Sequence, residues 1–157
     1  MTLPAENVED YPRPPLLEPV PQHIRIILGG ETIVDSRRAL RICETHHPPA
    51  YYIPLEDVVP GAVAPARGSS FCEWKGRAAY WDITGGGVTR PRAAWSYPAP
   101  TSAYRAIAGH LCFYAGPMDT CFVGDCAVSP QPGDFYGGWV TANLEGRIKG
   151  GPGTLGW

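Results

Sequence analysis

Glycine and proline punctuate this chain so densely that long helices have little room to form. Its 157 residues include 19 Gly and 18 Pro. Proline removes a backbone donor, and glycine carries an entropic cost inside regular elements. Both suit turns, sheet edges and short connections. The predicted class is therefore mainly β: a small single domain of short antiparallel strands with one or two short helices. Hydrophobic residues make up 44% of the chain, enough at this length for one domain with its own core.

Residues 1–22 carry Pro4, Pro12, Pro14, Pro15, Pro19 and Pro21. They predict an extended arm, with Leu16, Leu17 and Val20 as anchors. Ile24, Ile26 and Leu28 begin a strand, Gly29-Gly30 turns it, and Glu31 to Val34 return it as a hairpin. Arg37 to Glu44 fits a strand or one helical turn. Pro48-Pro49 ends that segment, and Tyr51-Tyr52-Ile53 starts the next strand. Pro54 to Val58 reads as a short helical turn and residues 60–69 as a loop. A second hairpin runs from Ser70 to Ile83 around Lys75-Gly76. Gly85-Gly86-Gly87 reads as a flexible break. Ala93 to Tyr97 and Leu111 to Tyr114 read as strands, with Ala103 to Ile107 as a short helix between them. From Ser129 onward the chain is Gly-rich. Yet Phe135, Tyr136, Trp139, Leu144, Ile148, Leu155 and Trp157 give it apolar anchors, so it is expected to wrap over the domain or a partner subunit.

Four segments taken in order resemble one family: GGETIVDSRRALRICETHHPPAYYIPLEDV, FCEWKGRAAYWDI, AAWSYPAP and IAGHLCFYAGPMD. They are similar to the domain of unknown function DUF427, and the C-terminal GGWVTANLEGRIKGGPGTLGW resembles a tail that some members carry. The resemblance implies a small all-β fold of the β-tent type. It divides the chain into an arm (1–22), a β domain (23–128) and a C-terminal extension (129–157). Relatives of that fold bind zinc through paired Cys-x-x-Cys motifs, and a nucleotidyltransferase-like label is sometimes attached to the family. This chain has no Cys-x-x-Cys. Its cysteines, Cys43, Cys72, Cys112, Cys121 and Cys126, read as small buried hydrophobes. His46, His47, His110 and Cys112 could supply zinc donors only if the fold gathered them. The glycine runs lack the order of a phosphate-binding loop. Asp82, Asp119, Asp125 and Asp134 are scattered where nucleotidyl transfer needs converging acids. No metal or cofactor is expected.

Formal net charge is −2, so there is no broad basic footprint and no nucleic-acid partner is expected. The acidic, proline-rich start is unlike a signal peptide, and no apolar run reaches spanning length. A cytoplasmic protein without a membrane partner is expected. Arg37, Arg38 and Arg41 form the densest basic cluster, and a pair of guanidinium forks can hold a carboxylate or phosphate. Their competing role is ion pairing with Asp35, Glu44 or Glu31. His46 and His47 read as solvated residues of a surface turn. Alternation places Cys72 with Trp74 on one face and Lys75 on the other. The leading expectation is a β domain that binds a small molecule or anion. Arg37, Arg38, Arg41, Glu44, Tyr52 and Trp81 are expected to border its cleft. Two further classes are an enzyme of unspecified reaction using the same cleft and an interaction protein forming a homodimer or larger homo-oligomer. No catalytic residue is singled out.

Overall fold

Buried residues alternate with partly exposed ones along Ile24–Leu28, and this period of two returns in Gly76–Gly85 and Thr120–Val123. The computed structural model describes residues 3–133 and 136–150. Its early strands are β1 (Glu6–Asn7), β2 (Leu16–Pro19), β3 (Ile24–Leu28), β4 (Glu31–Ser36), β5 (Leu40–Cys43) and β6 (Ala50–Pro54). The long central strands are β7 (Val63–Cys72), β8 (Gly76–Gly85) and β9 (Val88–Ser96). They are followed by β10 (His110–Phe113), β11 (Thr120–Val123), β12 (Cys126–Ala127), β13 (Ser129–Pro130), β14 (Trp139–Val140) and β15 (Leu144–Glu145). The helical segments are short 3₁₀ turns at Val8–Asp10, Leu55–Asp57 and Ser102–Ile107. The expected mainly β architecture of short antiparallel strands is what forms.

A seven-stranded sheet runs in the order β2-β5-β6-β10-β9-β8-β7, and a four-stranded sheet in the order β12-β11-β3-β4. Every pairing within these two sheets is antiparallel. Ile24, Ile26 and Leu28 of β3 meet Tyr51 and Ile53 of β6 and Leu111 and Phe113 of β10 in the main core. The intervening residues Tyr52 and Cys112 point the other way, as strand geometry requires. With Ile42, Tyr80, Trp95 and Tyr97 they form a second apolar cluster on the far face of the larger sheet. That second face is the one that carries the candidate site.

Two expectations need correction. Residues 60–69 are not a loop: most of them belong to β7, an edge strand whose register shifts between Pro65 and Ser69. An edge tolerates a proline that a central strand would not. Gly85-Gly86-Gly87 is not a flexible break but the β8–β9 hairpin turn, and it packs against the Gly29-Gly30 turn. A Cβ on Gly86 would sit 1.9 Å from the Gly29 carbonyl oxygen, so the two hairpin turns can meet only as bare backbone. The arm runs along the edge of the larger sheet. Its β2 pairs with β5 from Leu16↔Cys43 to Pro19↔Leu40, and Val20 enters the main core.

The described part of the tail packs on its own domain. Trp139 is fully buried, stacks on Tyr51 with ring centroids 5.1 Å apart, and donates its indole N–H to the Phe113 carbonyl at 2.8 Å. Beyond it, β15 pairs in parallel with β1. The anchors expected at Phe135, Leu155 and Trp157 lie outside the described residues.

Candidate functional site

A groove crosses the second face of the larger sheet. Its narrow end is a cavity of about 290 Å³ lined by Glu44, His47, Cys72, Trp74, Lys75, Tyr97 and Lys149, among others. Its wide end, about 800 Å³, is walled by Tyr80, Arg92, Tyr114, Pro130, Pro132 and Tyr136, among others. Tyr80, Tyr114, Gln131 and Tyr136 line both, so the two ends are one continuous groove. At the wide end the Arg92 guanidinium sits 4.3 Å above Tyr80, and Tyr114, which lines both ends, lies 4.6 Å from the Trp95 ring of the narrow end.

The chain has only two lysines, and both line the narrow end. The Lys75 ammonium lies 5.5 Å from the centre of the Tyr97 ring, and that of Lys149 lies 5.1 Å from the centre of the Tyr136 ring. Among the described residues neither has a carboxylate partner. Glu44 reaches the same cavity but pairs with Arg13 at 3.5 Å. His47 lines the same cavity, its ring centroid 5.0 Å from that of Tyr136 in a T-shaped arrangement. Burial pushes the imidazole down to about 4, and the positive charges of Lys149, Lys75 and Arg13 act in the same direction. His47 is therefore neutral near pH 7, within a positive local field.

The extension supplies one wall. Gly137 and Gly138 allow it: a Cβ on Gly137 would fall 2.1 Å from the Trp95 ring, and one on Gly138 2.5 Å from the Pro48 carbonyl oxygen. Gln131 fastens it. Its buried amide donates to the Lys149 carbonyl at 2.9 Å and to His47 Nδ1 at 3.1 Å, and it accepts the Gly138 N–H at 3.1 Å. Backbone bonds from Trp139 to Pro49 and from Lys149 to His46 finish the seam.

The fold disperses the six residues expected to border one cleft. Arg41 is clamped by Glu18 at 2.6 Å and Glu6 at 2.9 Å, beneath the arm. Arg38 pairs with Asp57 at 2.6 Å and, by that hydrogen bond, holds its carboxyl below the ordinary value. Arg37 is exposed on the link between β4 and β5. Trp81 packs toward the main core and donates to Ser96 Oγ at 2.9 Å; its neighbour Tyr80 takes the groove face. Tyr52 is wholly buried behind the groove, next to Tyr97, and its hydroxyl has no hydrogen-bond partner among the described residues. Only Glu44 of the six lines the groove. The arginines differ from the expectation because their partners, Glu6, Glu18 and Asp57, come from segments that sequence spacing does not bring near.

Two further corrections concern groups that local patterning underrated. His47 is largely enclosed, because the extension covers the turn that carries it. Lys75 does not oppose Cys72. The hairpin turn begins right after β7 ends at Cys72, so Trp74 and Lys75 leave the strand alternation and curl over the same cavity. Among the described residues no three of His, Cys, Asp or Glu gather at metal-binding distance.

Residues 16–124 match the family described as a domain of unknown function, DUF427. The chain belongs to this family. A search of curated proteins returned no match. The β-tent type expected of a DUF427 protein agrees with the seven-stranded and four-stranded antiparallel sheets. The matched stretch contains Glu44, His47 and Lys75 but stops short of Gln131, Tyr136 and Lys149. In this DUF427 protein a quarter of the residues lining the narrow cavity thus come from a segment beyond the family match.

Proposed function

We propose that this domain binds a small organic anion in the groove between the β7–β8 hairpin, the His47 turn and the C-terminal extension. The observation that carries the reading is the placement of both lysines. Among the described residues each ammonium sits against an aromatic ring instead of a carboxylate, and both border one concave cavity beside a neutral imidazole. An acidic head group would complete the hydrogen bonding of Lys75 and Lys149, and the aromatic wall toward Tyr80 and Tyr114 would cover a planar or apolar body. Convergent polar groups within apolar walls are the usual make-up of small-molecule sites.

The test is titration with benzoate and 1-naphthoate, followed by tryptophan fluorescence, since Trp74 and Trp95 line the cavity. Binding is expected for both, tighter for the larger arene, and weakening with added salt. Replacing either lysine by methionine should weaken it roughly tenfold, the effect of one charge-assisted hydrogen bond. Equal affinity in wild type and in a Lys75→Met/Lys149→Met double variant would refute the reading.

A further inference from the structure

We propose that Gln131, in the extension beyond the family match, is a positioning residue that locks His47 in its Nε2–H tautomer and so makes the imidazole a permanent donor in the groove. The argument follows from donor and acceptor inventory. The Gln131 amide has two N–H groups and one oxygen. Its oxygen accepts the Gly138 backbone N–H, and its nitrogen faces the Lys149 carbonyl, which only accepts. Flipping the amide would set oxygen against oxygen and N–H against N–H, so the orientation is fixed. The second N–H then points at His47 Nδ1. Nδ1 must accept, and the single proton of the neutral ring must sit on Nε2. Protonating Nδ1 would oppose two donors.

The groups around the ring act in the same sense. Lys149 from the extension, Lys75 from the β7–β8 turn and Arg13 from the arm all disfavour an imidazolium. Glu44, which lines the same cavity, is engaged by Arg13, and the Tyr136 ring lies T-shaped against that of His47. His47 thus behaves as a fixed donor beside two ammonium groups and not as an acid–base group. Such a site favours a ligand head that only accepts hydrogen bonds, such as a deprotonated carboxylate or sulfonate, over one that carries its own donors. This role toward a ligand rests on the anion reading above; the tautomer does not.

The experiment uses the full chain labelled with ¹⁵N-histidine, with the His47 signals assigned by their loss in His47→Gln. Long-range ¹H–¹⁵N spectra are recorded between about pH 5 and 8, the range in which an unperturbed histidine titrates. Wild type is expected to show a pyrrole-type Nε2 and a pyridine-type Nδ1 at His47 across the range. An Nδ1–H tautomer, or titration in the ordinary histidine range, would overturn the proposal. In Gln131→Glu a carboxylate replaces the amide donor, and His47 should gain an Nδ1 proton and titrate at higher pH. Unchanged His47 signals in that variant would overturn it as well. Gln131→Met should weaken 1-naphthoate binding roughly tenfold, as expected when a buried group loses its partner. Undiminished affinity there would remove the positioning role. The locked tautomer without naphthoate binding by wild type would refute the anion reading and leave the lock standing, so the two failures are distinguishable.

Discussion

Burial at His47, with Lys149, Lys75 and Arg13 nearby, lowers its pKa to about 4 from an ordinary 6.5. The sign of the pH effect follows. The unfolded chain binds a proton at His47 more readily than the fold does, so stability from the neutral ring is full above pH 6.5. It falls as pH drops from 6.5 to 4, by about 3 kcal/mol in all. Urea midpoints of wild type and His47→Gln at about pH 7 and at pH 4 check this: the variant should lose less on acidification. Identical losses would show that another group carries the acid sensitivity. The arginines illustrate the opposite case. Arg38 and Arg41 form the densest basic text in the chain, yet in the fold they neutralise Asp57, Glu6 and Glu18. A charge cluster in sequence states how much charge is present and not which partner will face it. The lysines carried the better signal: with only Lys75 and Lys149 among 13 basic residues, their convergence on one cavity is the least expected arrangement.

At the level of elements, the hairpins were legible because apolar alternation and paired turn residues coincide. Ile24–Leu28 with Gly29-Gly30 is the plainest case, and β3 and β4 form where the pattern places them. The first part of β7, residues 63–69, was missed for a physical reason. It lies at the sheet edge, and most of its residues are exposed, so it has neither alternation nor an apolar run. The extension was recognisable as anchored text, but its path was not. The close approach of Gly137 to Trp95 and of Gly138 to Pro48 sets that path. Gly137→Ala would force a methyl into the Trp95 ring. Overpacking of this kind costs about 1–3 kcal/mol. The expected outcome is a lower melting temperature together with faster protease cleavage between Gln131 and Trp139. An unaltered melting temperature and cleavage pattern would show that the seam has room to spare.

For the molecule as a whole, Trp139 decides whether the extension is part of the domain or an appendage. It is fully buried in the main core and bonded to Phe113. Trp139→Ala should destabilise the entire protein by about 3–5 kcal/mol, through lost burial and the cavity left behind. A single cooperative transition at lower denaturant concentration is the expected result. A small change confined to the extension would mean that the β sheets stand without it. Such cooperativity would also explain why the groove depends on residues outside the family match: the wall that carries Gln131 and Lys149 is held by the core itself. The sequence alone determined the mainly β class, the family and several strands, because period-two patterning and turn chemistry are local and survive in one dimension. The groove was decided only by tertiary structure. Its lysines lie 74 positions apart, its histidine was read as solvated, and its wall folds back from the far end of the chain. Which charges meet, and which ring is covered, depends on contacts between distant segments that no local pattern encodes.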